Sequence, residues 1–146
     1  MTIVFASSAP KKCRCALEKL LFLNPRQQRV RNGILNSLEQ FGQPLVEETG
    51  GGLTVRLGDH AVQNLFAFDR DRHRTAPVGV VIFLRITPVA LTVIHIAVHP
   101  AYSLKGLNGE MGLGLALVEK VKEIAKQIVG VNRVDFFYRQ EVRLRI

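Results

Sequence analysis

Apolar residues recur along this chain at two different spacings, and the switch between them marks out the elements. Ile3 to Ala6 is a short apolar run that predicts a strand. From Lys11 to Phe41 the spacing turns helical, with Leu17, Leu20 and Leu21, then Val30, Ile34, Leu35, Leu38 and Phe41 on one face. Asn24-Pro25 interrupts that pattern in an N-cap arrangement, so two helices are predicted, the second closing near Gly42. Gly50-Gly51-Gly52 reads as a flexible joint. Leu53–Leu57 and Val62–Phe68 then predict two strands of a hairpin that turns at Gly58-Asp59.

The polar stretch Asp69–Arg74 predicts a solvated loop, and Asp69 with Asp71 is set aside as a metal pair. Val78–Ile86 and Leu91–Val98 are nearly continuous apolar runs, the pattern of central strands covered on both faces. Thr87-Pro88 between them predicts an antiparallel connection. Taken as one segment they approach a membrane span, but Arg85, Pro88 and His95 interrupt it, and the Val, Ile and Thr content favours strands. A glycine-rich stretch follows, then an amphipathic helix. Its apolar stripe is Leu113, Leu117, Val118, Val121, Ile124, Ala125 and Ile128, and Gly130 ends it. Val131–Tyr138 predicts a last strand, after which arginines alternate with apolar residues to Ile146. This order predicts the α+β class, an α/β sandwich with a mixed, largely antiparallel central sheet flanked by helices, residues 1–146 forming one domain.

Composition changes this picture in two ways. With 47% hydrophobic and 22% charged residues among 146, the chain is ordinary for a globular domain and can bury a continuous core. Its formal charge of +8 favours anionic partners such as phosphorylated cofactors or nucleic acid. The excess is concentrated early: residues 1–41 carry seven Lys/Arg (Lys11, Lys12, Arg14, Lys19, Arg26, Arg29, Arg31) against Glu18 and Glu39, a balance of +5. Cys13 and Cys15, two apart, have poor geometry for a disulfide or a zinc clip and read as free thiols. The start lacks a charged, long-apolar leader. A cytoplasmic protein without membrane attachment is the expectation.

The stretch from Val98 to Gly114 carries the candidate chemistry. It leaves a buried strand, passes through Gly106, Gly109, Gly112 and Gly114, and enters a helix. Glycine backbones can turn successive N–H groups toward one anion, and a helix amino terminus adds partial positive charge. A phosphate or pyrophosphate suits that arrangement, as does a plain flexible loop with a tight helix start. The glycine spacing matches neither a dinucleotide fingerprint nor a P-loop, since no Gly-Lys-Ser/Thr ends it.

In the order of its elements the chain resembles the GNAT acetyltransferase superfamily from about Pro77 to Tyr138. The residues that carry the likeness are the two apolar strands, His99-Pro100-Ala101-Tyr102, and Gly112-Leu113-Gly114-Leu115-Ala116 at the helix start. The resemblance implies a GNAT-like acyl-CoA acyltransferase fold with acetyl-CoA as co-substrate. It implies that the backbone of Ile96, Ala97 and Val98 pairs with the pantetheine arm, and that the amides of Gly112, Leu113 and Gly114 hold the pyrophosphate. The family's Gln or Arg before the loop glycines is Gly109 here, the loop is longer than usual, and Lys105 stands as a substitute positive charge. The family also continues past its fifth strand with a helix and two strands, whereas this sequence reaches Ile146.

Acetyl transfer from a thioester needs an oriented amine, a base, and stabilisation of a transient oxyanion. His95, beside the cradle, is the candidate base, although a histidine in an apolar strand is commonly a bonded core residue. Tyr138, at the end of the last strand, is the candidate acid; His99 reads as a turn residue, and Glu110 and Glu119 as helix-surface charges. Three functions stay open. One is an N-acetyltransferase acting on a small-molecule or protein amine. Another is a non-catalytic member working as a CoA-binding or interaction module. The third is a nucleic-acid-binding protein using the basic stretch from Lys11 to Arg31. A sheet edge left uncovered would suit a homodimer.

Overall fold

The computed structural model describes residues 2–22, 42, 44–60, 62–71, 76–102, 112–137 and 139–145. Their strands are β1 (Ile3–Ala6), β2 (Pro44–Thr49), β3 (Gly52–Leu57), β4 (Gln63–Asp69), β5 (Gly79–Thr87), β6 (Ala90–Val98), β7 (Arg133–Phe136) and β8 (Arg139–Arg145). Two α-helices are α1 (Arg14–Phe22), entered through a 3-10 turn at Lys11–Cys13, and α2 (Leu113–Lys126). Six strands form one sheet in the order β1-β4-β5-β6-β7-β8, and β2 pairs with β3 apart from it. All neighbours in the large sheet are antiparallel except β6 and β7, which run parallel. The mixed, largely antiparallel sheet expected of an α+β chain is therefore present.

The sheet is buried on both faces because β4, β5 and β6 carry apolar residues at consecutive rather than alternate positions. One face packs Val81, Phe83, Leu91 and Val93 against Leu113, Leu117, Val118, Val121 and Ala125 of α2. The other packs Phe66, Phe68, Val80, Ile82 and Ile94 against Leu17, Leu20 and Leu21 of α1 and Leu53, Val55 and Leu57 of β3. The helical stripe is as expected, but α2 ends at Lys126 with Gln127 as its cap, before Gly130. Gly130, at φ 88°, instead makes the turn into β7.

Three local expectations are corrected. The glycine joint is the turn of the β2–β3 hairpin, and β2 was not anticipated. Its Glu47 and Glu48 are exposed, so the segment lacks the apolar run of a buried strand. The turn at Gly58-Asp59 does not make a hairpin, since β3 pairs with β2 and β4 pairs with β1 and β5. The two sheets are stitched instead by the buried Asn64 side chain, whose Oδ1 accepts from Val55 N–H at 2.7 Å and whose Nδ2 donates to Val55 O at 2.9 Å. That amide does locally what a ladder would otherwise do, and it satisfies a strand whose backbone is buried. Lastly, Asp69 is not in a solvated loop: it ends β4 and is fully buried.

Several readings agree with the structure or lie beyond its description. Cys13 is buried, Cys15 exposed, and both are free thiols. Burial pushes the Cys13 thiol up. The tail, for which no element was predicted, forms β8, antiparallel to β7. The second predicted helix, up to Phe41, lies outside the described residues, and so do Arg26, Arg29 and Arg31. Among the described residues no helix is long and apolar enough to cross a membrane.

Candidate functional site

Strand β6 is nine residues long but has two different neighbourhoods. Ala90–Val93 pair in parallel with Arg133–Phe136, and Phe137 N–H still donates to Val93 O at 2.9 Å. Beyond Val93 the described pairing of β6 with β7 stops, while pairing with β5 continues to Val98 opposite Gly79. The cause is local. β7 ends at Phe136 and β8 begins at Arg139, while β6 runs on, and within β6 the pairing of Ile82 with His95 and of Phe83 with Val93 leaves Ile94 as an extra, bulged residue. The outer half of β6, Ile94–Val98, thus parts from β7 and has no described strand on that side.

The amino end of α2 sits beside the parted half. Gly112, at φ −55° and ψ 134°, is the N-cap and has no side chain with which to cap. Its carbonyl accepts from Leu115 N–H at 3.1 Å and Ala116 N–H at 3.3 Å. The amides of Leu113 and Gly114 thus lie ahead of the first helical bond, where the helix presents donors and partial positive charge. Among the described residues a methyl at Gly114 would meet nothing closer than Val98 Cγ2 at 3.8 Å, which places the first turn against the end of β6.

Gly79 makes that seating possible. A Cβ there would stand 3.0 Å from Leu113 Cδ2 and 3.1 Å from Leu117 Cδ1, closer than ordinary contact. A side chain there would oblige Leu113 and Leu117, and with them the first turn of α2, to give by a few tenths of an ångström. A Gly79→Val exchange should therefore lift the turn, destabilising the fold by about 1–3 kcal/mol. Urea denaturation measures this; a midpoint equal to wild type would show that the contact is slack. The sequence hint for Gly79 was slight, a single glycine inside an apolar run.

Beyond β6, His99 N–H donates to Val78 O at 2.8 Å, and a 3-10 turn at Pro100–Tyr102 follows. Ala101 N–H donates to His99 Nδ1 at 3.2 Å, so His99 is a turn residue as expected. Tyr102 is 1% exposed, and its hydroxyl donates to Asp69 Oδ2 at 2.6 Å. That phenol holds the Asp69 carboxyl below the usual range; burial opposes it, and the amides of Asp71 and Thr2 add to it. Sequence reasoning missed this pair because nothing in the polar run 69–74 marks its first residue as internal.

The structure brings together Ile96, Ala97 and Val98 on the parted strand with Gly112, Leu113 and Gly114 at the helix start. Leu113 contributes only its amide, since its side chain is in the core. Lys105, Gly109, Glu110 and Tyr138 lie outside the described residues. His95 shares a face with Ile82, its cross-strand partner, on the side of the sheet opposite α2. It is 8% exposed, and burial pushes its imidazole down to about 4. Glu119 is a surface charge bridged to Lys122 at 3.3 Å. Among the described residues no group of His, Cys, Asp or Glu could hold a metal ion. A separate cleft of ≈ 760 Å³ borders β1 and includes Val4, Pro10, Phe68 and Arg70. In the sheet order β4 and β5 separate β1 from β6, so this cleft is not the opening beside α2.

No family model and no curated protein sequence matches this chain. Solved structures do. An acetyltransferase from Streptococcus agalactiae 2603 is similar at a TM-score of 0.50 and 14% identity, over 92% of this chain and 71% of that one. IAA acetyltransferase from Bacillus cereus ATCC 14579 follows at TM-score 0.48 and 18% identity, over 92% and 65%. A GNAT family acetyltransferase from Elizabethkingia anophelis, solved with acetyl-CoA bound, has TM-score 0.46 and 13% identity, over 92% and 63%. This chain thus spans about two-thirds of the length of the enzymes it resembles. At these identities the likeness speaks of architecture alone: the mixed sheet with α2 packed on one face is the fold this chain shares with the acetyltransferase from Streptococcus agalactiae.

Proposed function

We propose that this chain is an N-acetyltransferase that binds acetyl-CoA in the opening between β6 and β7 and acetylates a primary amine of a small molecule or a protein. The observation that carries the reading is the parting of β6 from β7 after Val93, next to the first amides of α2, which lie ahead of its first helical bond. A pantetheine arm carries amides that can take the place of a strand, and the edge of Ile96, Ala97 and Val98 offers it backbone partners. A pyrophosphate is an anion suited to the amides of Gly112, Leu113 and Gly114. The bare Gly114 leaves room for close approach. Lys105 and Gly109 belong to the same proposed cradle, and the +8 charge of the chain favours such a ligand.

Acetyl-CoA supplies an activated acyl group, so the protein's share is orientation and proton management. His95 has the state a base requires, being uncharged near neutrality. It lies on the face opposite α2, so an amine that it deprotonates would enter from the α1 and β3 side. Tyr138 follows Phe137, the residue at the point of parting, and is the candidate donor to the leaving thiolate. A cytoplasmic location and a homodimer formed through a sheet edge complete the reading.

A thermal-shift titration with acetyl-CoA, CoA and ATP tests the proposal. Both CoA species should raise the melting temperature saturably, with about 2.7 kcal/mol gained at a hundred times Kd. ATP should do less, having phosphates but no pantetheine. No shift at millimolar CoA would overturn the reading.

A further inference from the structure

Beyond Val93 the outer half of β6 pairs with β5 along one edge, and no described strand pairs with the other. An edge of this kind can present backbone groups in register only if its far end is fixed. Among the described residues the fixture is the turn that follows it. His99 N–H is bonded to Val78 O, Tyr102 N–H to His99 O at 2.9 Å, and the Tyr102 hydroxyl reaches across to Asp69 at the end of β4. The last of these bonds is short, charge-assisted and made between two wholly buried groups 33 residues apart in sequence. It ties the exit of β6 to a strand that is not its neighbour, since β5 lies between β4 and β6.

We infer that Asp69 and Tyr102 are positioning residues for the coenzyme: their bond holds Ile96–Val98 where a pantetheine arm can pair with them. The inference rests on the acetyl-CoA reading above. Neither side chain need touch the coenzyme, and the bond acts through the strand that it anchors. The carboxylate is suited to this because it also collects the Asp71 amide at 3.1 Å, which fixes its own orientation.

The experiment is acetyl-CoA binding by calorimetry alongside urea denaturation, on wild type, Tyr102→Phe and the double variant Tyr102→Phe/Asp69→Asn. The single exchange deprives a buried carboxylate of its shortest bond and should lower the urea midpoint as well as weaken binding about tenfold. The double exchange leaves a neutral amide that can still accept from the Asp71 amide, so stability should recover relative to the single variant while binding stays about tenfold weak. If binding recovers together with stability, the pair is a core contact only and the inference is overturned. Unchanged affinity in a folded Tyr102→Phe protein would overturn it equally. If wild type itself binds no acetyl-CoA, the coenzyme reading has failed first and the inference falls with it.

Discussion

Gly114→Glu should abolish acetyl-CoA binding, by a factor of a hundred or more, while leaving the protein at least as stable as wild type. The two effects separate because they have different origins. Among the described residues position 114 has space for a side chain, with only Val98 Cγ2 within 4 Å, at 3.8 Å, of an added Cβ. Replacing glycine inside a helix removes a penalty of roughly 0.8–1.0 kcal/mol, and a carboxylate in the first turn interacts favourably with the helix dipole. Against a pyrophosphate the same carboxylate is a like charge in the place where the anion must sit. Gly114→Ala is the control, adding one methyl without charge, and should weaken binding far less. Calorimetric titration with acetyl-CoA and a urea melt measure both quantities. Tight binding by the glutamate variant would mean that the anion is held elsewhere.

Acidification should cost the fold about 3 kcal/mol between pH 6.5 and pH 4, and His95 should account for it. Burial lowers its pKa from 6.5 to about 4. The unfolded chain therefore takes up a proton over this interval while the folded protein does not, and stability rises with pH from 4 to 6.5. A displacement of this size corresponds to about 3 kcal/mol at 1.36 kcal/mol per unit. Asp69 acts lower on the scale. Its folded pKa lies below the ordinary 3.8, so its contribution is present above that value and is lost as the pH falls further. Urea midpoints at intervals of half a pH unit resolve the two. His95→Leu should flatten the slope between pH 4 and 6.5 and leave the lower limb in place. An unchanged slope in that variant would assign the effect to other groups.

What the sequence made legible follows from the range over which each feature is determined. The unbroken apolar runs of β5 and β6 and the stripe of α2 are set by burial along one element, and they could be read directly. The glycine-bearing entry to α2 was legible for the same reason. The site's geometry was less so. The bulge at Ile94 sits within a run of apolar residues that would pair equally well without it, and the predicted last strand, Val131–Tyr138, gave no sign that β7 stops at Phe136. Strand β2 escaped because its charged residues face water, and β3 is held outside the main sheet by long-range bonds, from the Asn64 amide to Val55 and between Ala9 and Leu53, that no local pattern announces. Asp69 escaped for the converse reason: the arginines and histidine that follow it describe a loop, whereas its own partner is Tyr102, 33 residues on.

The opening beside β6 also has a thermodynamic side. A strand missing from a sheet is stabilisation forgone, and the molecule that fills the gap returns it. Local folding of Ile94–Val98 and affinity for the filler then draw on the same backbone groups. A chain whose β7 ran on past Phe136 could pair with the outer half of β6 and would be the more stable empty protein; on the proposed reading it would have given up its coenzyme site for that stability.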